Sequence, residues 1–379
     1  MKISNHFDSG RIEVVSAEAI DDIQVKIVKD SHSDFIQWFH FRIQGIKDQD
    51  CTVRFLNAGE TSYTDGWKEY NVCASTDRQE WFRVPSRYDG QELVAQFNVD
   101  TDDVYLAYFA PYSWERHLNL LAFAQQSHLC ELSYLGDTLD GRDMNMLTIA
   151  DEDATGDKKN VWVIARQHPG ETMAEWFIEG MLEALLDMDN PTARKLLQSA
   201  VVHVVPNMNP DGSVRGNLRT NASGANLNRE WTEPSMEASP EVYLVREQMH
   251  AKGLDLFLDV HGDEAIPYNF VAGCEGNPNY NDRLKTLEDT FKAAYAAASP
   301  DFQDVHGYPK DEPGKGDLRI ATNYVGQSFD TLAYTIEMPF KDNHDLPDSD
   351  YGWSPDRCKK FGEDVLIAVL NTVEHMNAE

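Results

Sequence analysis

Where the apolar run "VWVIA" gives out at Ala165, the chain continues "RQHPGETMAEW", which sets His168 and Glu171 three residues apart. A strand-to-helix corner needs neither residue, since Gly, Ser or Asp usually turns it. At that spacing both side chains can point at one spot, as a bound metal ion requires. His261 follows a second apolar run, "DLFLDV", and completes a set of two histidines and a glutamate. Three protein ligands with a fourth position left to water is the pattern of a catalytic zinc rather than a structural one. Such an ion lowers the pKa of water to roughly 7 and polarises a carbonyl. An isolated His-x-x-Glu arises often by chance, and a lone histidine at a strand end is commonly a core residue. The joint placement carries the metal reading.

Two more strand ends add polar residues. Arg219 and Arg229 lie in a stretch rich in Gly and Asn, which reads as a loop. Asn217, Asn221, Asn226 and Asn228 flank them and are expected to face a polar ligand. A guanidinium suits bidentate capture of a carboxylate, such as a peptide C-terminus. It equally suits holding an oxyanion, and spacing alone leaves open which arginine does which. Glu337 sits inside "AYTIEMPF", where an unpaired charge is costly to bury. It is either salt-bridged to an arginine or a general base that takes a proton from water and gives it to a leaving amine.

These residues need a scaffold that brings strand ends together. Over the first ~120 residues, apolar and polar positions alternate, as in Ile23, Val25, Ile27 and Cys51, Val53, Phe55. Successive half-buried antiparallel strands of this kind predict a β-sandwich over residues 1–112. From Trp114 helical patterns such as "TMAEWFIEGMLEALLDM" alternate with short apolar strands. That grammar predicts, over residues 113–379, an α/β/α domain with a mixed, mostly parallel sheet. In open sheets of this class, sites form at the carboxyl ends of strands. The β domain is expected to shape the rim of the cleft.

The chain has 379 residues and a net charge of −31 spread along it, which argues against nucleic acid or an anionic membrane as partner. Five scattered cysteines without a C-x-x-C, and no apolar stretch of membrane length, point to a reducing, cytoplasmic compartment. No oligomeric state follows from the sequence.

In order along the chain, "HPGE", "NPDG", "GNLRTNASGANLNREW", "DVHGD" and "YTIE" resemble the zinc metallocarboxypeptidases of the M14 family, and within it the cytosolic carboxypeptidase subfamily. "FDSGRIEVV", "DFIQWFHFRIQG" and "WFRVP" resemble that subfamily's N-terminal β domain. The resemblance implies one zinc per chain on His168, Glu171 and His261, with Glu337 as general base. It also implies that Arg219 polarises the carbonyl, while Asn228 and Arg229 hold the terminal carboxylate. The substrates implied are peptide or protein C-terminal tails, with a preference for acidic residues through Arg319, near Lys315. A zinc amidohydrolase acting on N-acyl amino acids or cell-wall peptides is the alternative. Tyr308 and Tyr324 are both candidates for the tyrosine that shields the site in that family. Asp263 and Glu264, where the family often has other residues, either add negative charge beside the metal or are solvated.

Overall fold

The structure, a computed structural model, describes residues 1–378. Its first part contains β1 (Lys2–Ser4), β2 (Glu13–Ser16), β3 (Ile23–Lys26), β4 (His40–Gln44) and β5 (Cys51–Phe55). They are followed by β6 (Val72–Ser75), β7 (Phe82–Val84), β8 (Ser86–Tyr88), β9 (Leu93–Phe97) and β10 (Asp103–Ala107). Two five-stranded sheets result, in the orders β1-β4-β10-β6-β7 and β2-β3-β5-β9-β8. The alternation has the expected cause: Ile23 and Val25, and Cys51, Val53 and Phe55, are buried, while their neighbours face outward. Between the sheets Phe39 packs on Phe55, with ring centroids 4.5 Å apart. One pairing departs from the all-antiparallel expectation. β3 and β5 run parallel, because β4 between them belongs to the other sheet and the chain crosses over and back.

Helix α1 (Trp114–Ala124) opens the second part, its first turn capped by Ser113 Oγ, which accepts from Arg116 N at 3.1 Å. Then come β11 (Cys130–Asp137), β12 (Asp143–Ile149) and β13 (Lys159–Ala165), and α2 (Met173–Leu185) and α3 (Pro191–Leu197). The chain continues through β14 (Ala200–Val205), α4 (Pro210–Arg215), α5 (Pro240–Lys252), β15 (Leu256–Asp263), β16 (Phe270–Ala272) and α6 (Asp282–Ala298). It closes with α7 (Ala321–Phe329), β17 (Leu332–Pro339) and α8 (Pro355–Ala378). The seven strands form one mixed sheet in the order β11-β12-β14-β13-β15-β17-β16. Its centre, β14-β13-β15-β17, is parallel and its edges are antiparallel. β13, β15 and β17 therefore deliver their carboxyl ends to one rim. Among the described residues, no helix is long and apolar enough to cross a membrane.

Candidate metal centre and cleft

At that rim His168, Glu171 and His261 converge. Glu171 Oε1 lies 2.7 Å from His168 Nδ1, and Glu171 Oε2 lies 2.7 Å from His261 Nδ1. The two Nδ1 atoms are 3.2 Å apart, and all three side chains are buried. The outer ring nitrogens face acceptors: His261 Nε2 is 2.8 Å from Asp259 Oδ2, and His168 Nε2 is 3.0 Å from Asn226 Oδ1. With a cation between them, each ring would keep its proton on Nε2 and turn its Nδ1 lone pair inward beside the two carboxylate oxygens. Four electron-rich atoms aimed at one point in a buried site need a cation between them, and the donor set suits zinc. Among the described residues this is the one cluster of that kind.

Support for the set extends outward. Gln167 Nε2 donates to Asp259 Oδ2 at 2.6 Å, and Trp231 Nε1 donates to Gln167 Oε1 at 2.9 Å. Such outer partners orient metal-binding imidazoles. The loop after β13 is held by Arg166, whose backbone takes the left-handed φ of 61°. Its buried guanidinium donates to Pro169 O at 3.0 Å, Tyr112 O at 2.9 Å and Glu175 Oε2 at 2.6 Å. Gly262 leaves room for α2: a Cβ there would lie 2.4 Å from Met173 Sδ.

Burial opposes charge on His261, but Asp259 and Glu171 outweigh it and push its ring well up. Burial and the neighbouring Arg219 push His168 down to about 4, so it is neutral near pH 7. Burial opposes charge on Glu171, but His168 and His261 outweigh it and hold its carboxyl well below the usual range. Glu337 pairs with His261 in the β15–β17 register, and its Oε2 is buried without a partner. Burial, with Glu171 and Asp263 adding negative charge, drives the Glu337 carboxyl well up. A divalent cation in the adjacent set would act in the opposite direction.

Arg219 lies on the facing loop, one guanidinium nitrogen 3.9 Å from Glu171 Oε1. Its backbone is fixed from the other part of the chain. Asp30 accepts from the backbone nitrogens of Leu218, Arg219 and Thr220 at 2.6, 2.8 and 3.0 Å. Phe35 and Tyr63, also from the β-sandwich, present their rings to the Arg219 guanidinium, each centroid 5.6 Å away. Sequence reasoning missed all three residues. They lie in loops between the strands and carry no motif of their own.

The site residues line a cavity of about 600 Å³ that includes Asn228, Arg229, Tyr308 and Glu337. Asn228 Oδ1 accepts from Ala321 N at 2.8 Å, which leaves its amide nitrogen for a ligand. The other three asparagines serve the scaffold instead. Asn217 accepts from Ser31 N, Asn221 donates to Ala238 O, and Asn226 holds His168 and the Asn228 backbone. Tyr308 Oη lies 2.7 Å from Asp263 Oδ2 and 3.1 Å from Glu337 Oε1. Tyr324 is elsewhere, its Oη 3.0 Å from His250 Nε2. Arg319 does not join the cavity: it is exposed and forms a fork with Asp317, at 2.7 Å for the closest pair. Lys315 is likewise exposed. The cavity's lysines are Lys292 and Lys310. Glu264 is buried, and burial pushes its carboxyl up to about 8, so it keeps its proton at neutral pH instead of adding charge.

Comparisons with known proteins show the family. Residues 3–109 match the family model of the cytosolic carboxypeptidase N-terminal domain, and residues 115–357 match that of zinc carboxypeptidase. A metallo-carboxypeptidase from Burkholderia cenocepacia is 46% identical over 99% of both chains, with a TM-score of 0.96. One from Pseudomonas aeruginosa, in complex with (2-guanidinoethylmercapto)succinic acid, is 46% identical over 99% of this chain and 100% of its own, with a TM-score of 0.96. Cytosolic carboxypeptidase 2 of Macaca fascicularis is 30% identical over 71% of this chain, but the match spans only 36% of that longer protein.

Proposed function

The chain belongs to the zinc carboxypeptidase family, as a metallocarboxypeptidase with the cytosolic carboxypeptidase N-terminal domain, and from that premise we propose that it removes single residues from the C-termini of peptides or protein tails. The observation that carries this reading is the convergence of two Nδ1 atoms and a carboxylate beside an unpartnered buried Glu337 oxygen. His168, Glu171 and His261 would hold one zinc per chain, which would supply a Lewis acid to acidify water and polarise a carbonyl. The protein's own groups do the rest. Arg229 and the Asn228 amide hold the terminal carboxylate and so fix which bond is cut. The ligand of the P. aeruginosa relative, (2-guanidinoethylmercapto)succinic acid, carries carboxylates, which supports carboxylate capture here. The Arg219 guanidinium meets the oxygen on which charge develops. Glu337 Oε2 takes a proton from the attacking water as its oxygen bonds to the carbonyl carbon, and returns a proton to the amine as the C–N bond breaks. Tyr308 donates a hydrogen bond across the mouth. The acidic preference loses its support once Arg319 is placed outside the cavity. Five unpaired cysteines favour a reducing, cytoplasmic setting.

The test is a peptide mixture carrying all twenty C-terminal residues, read by mass spectrometry with and without a chelator. Loss of one terminal residue, abolished by chelator and restored by zinc, is expected. Intact peptides alongside hydrolysis of N-acyl amino acids would transfer the assignment to an amidohydrolase.

A further inference from the structure

The cavity extends past the metal set, and its course follows from strand register. Two residues before Glu337 on the same face of β17 lies Thr335, whose partner across the sheet edge is Ala272 at the end of β16. At roughly 3.4 Å per residue, Thr335 is about 7 Å from the base. The chain beyond Ala272 turns through Gly273 to Glu275. A Cβ on Gly273 would lie 2.8 Å from Glu275 Oε2, so the glycine lets this carboxylate fold back over the strand end. Glu275, Lys292 and Lys310 all line the cavity here.

The two lysines differ in kind. Lys292 is largely buried and already committed, 2.9 Å from Glu288 Oε1 and 3.1 Å from Asp304 Oδ1. Lys310 has a side chain 66% exposed on an outer loop, yet its Nζ is 2.7 Å from Glu275 Oε1, on a side chain only 14% exposed. An exposed, flexible cation thus covers a largely buried anion that opens into the cavity.

We propose that Glu275 forms the subsite for a cationic C-terminal side chain, lysine or arginine, and that Lys310 occupies this subsite until such a substrate replaces it. The proposal rests on the carboxypeptidase reading for the placement of the rest of the substrate. Exchange is favourable in its local charge balance. With Lys310 swung away, Glu275 loses the cation 2.7 Å from it, while Lys292 stays with Glu288 and Asp304. A largely buried carboxylate is then left without a cationic partner, in a place where unpaired charge is costly. An ammonium or guanidinium restores the balance, and a carboxylate worsens it. A surface ion pair such as Lys310 makes is weak enough to be displaced.

The test uses the zinc-loaded full chain and one peptide sequence ending in Lys, Arg, Glu or Phe. kcat/KM for the Lys and Arg peptides is expected at least tenfold above that for Glu. Glu275→Gln should reduce the value for Lys at least tenfold, and Lys310→Ala should raise it several-fold. Preferred cleavage of the Glu peptide, slowed by Lys310→Ala, would overturn the proposal by making Lys310 the recognition group. A binding measurement keeps the question separate from hydrolysis. Calorimetry on zinc-loaded Glu337→Gln should find 6-aminohexanoate bound at least tenfold tighter than hexanoate, with the difference lost on adding Glu275→Gln. Equal affinities overturn the subsite. If no peptide is shortened, the carboxypeptidase reading fails and calorimetry alone decides the subsite.

Discussion

Asp30 Oδ2 sits 2.8 Å from the backbone nitrogen of Arg219, although 189 residues separate them in the chain. The same carboxylate takes the N–H groups on either side, so one residue of the β-sandwich fixes the segment that presents the guanidinium. Leu218 in turn accepts from Gly170 N at 2.8 Å, inside the loop that carries His168 and Glu171. The N-terminal part thus does more than frame the cleft: it holds one wall of it in register with the metal set.

Both Asp30 oxygens act as acceptors, so Asp30→Asn turns one of them into a donor facing N–H groups. The displaced Arg219 should lower kcat by about 10²-fold, the scale expected for a misplacement of about 1 Å. KM should move far less. In an Arg219→Ala background, Asp30→Asn should add little further loss of kcat, because the group it positions is gone. An additive loss in that double mutant would assign Asp30 a purely structural part.

Glu337→Gln keeps shape and hydrogen bonding but cannot take a proton. Turnover should fall by about 10³-fold, within the usual range for general acid–base groups, while elemental analysis still finds zinc. Turnover that survives would give the proton to another group.

Asp259 touches no substrate, yet it aims His261. Asp259→Asn should weaken zinc binding by about 10–100-fold, measured by competition with a chromogenic chelator. Undiminished affinity would mean the ring is held by packing alone.

Acid should destabilise the fold partly through His40. Burial, with Arg78 nearby, pushes its ring down to about 3 from an ordinary 6.5. Between those values the unfolded chain binds a proton that the folded chain does not, so stability rises with pH and falls on acidification. From pH 6.5 to 4 this amounts to about 3 kcal/mol, at 1.36 kcal/mol per pH unit. His40→Gln should flatten that part of a urea-denaturation profile against pH, whatever it does to stability at pH 7. An unchanged slope would mean the acid sensitivity lies elsewhere.

The metal set was legible because each member ends an apolar run, and in a parallel sheet run ends share a rim. Asp259 went unread, although a carboxylate two residues before His261 in an otherwise apolar strand lies on the same face. Arg319 was misread although its partner, Asp317, stands two residues before it. Asn217 and Asn221 were misread because a buried loop must satisfy its own backbone, and their amides do that. Asp30, Phe35 and Tyr63 had no local sign, since their roles exist only once two separately patterned regions meet. β16 and α7 are short, with 3 and 9 residues, and periodicity is weak at that length.

The pairing of His261 with Glu337 across β15 and β17 also bears on time. His168 and Glu171 meet within one turn of chain, but His261 reaches them only when strands far apart in sequence have paired in parallel, a slow event in folding. A complete set of donors is therefore a product of folding and not a nucleus for it. Zinc bound there would leave the folding rate largely as it was and slow unfolding, lengthening the lifetime of the native state rather than hastening its birth.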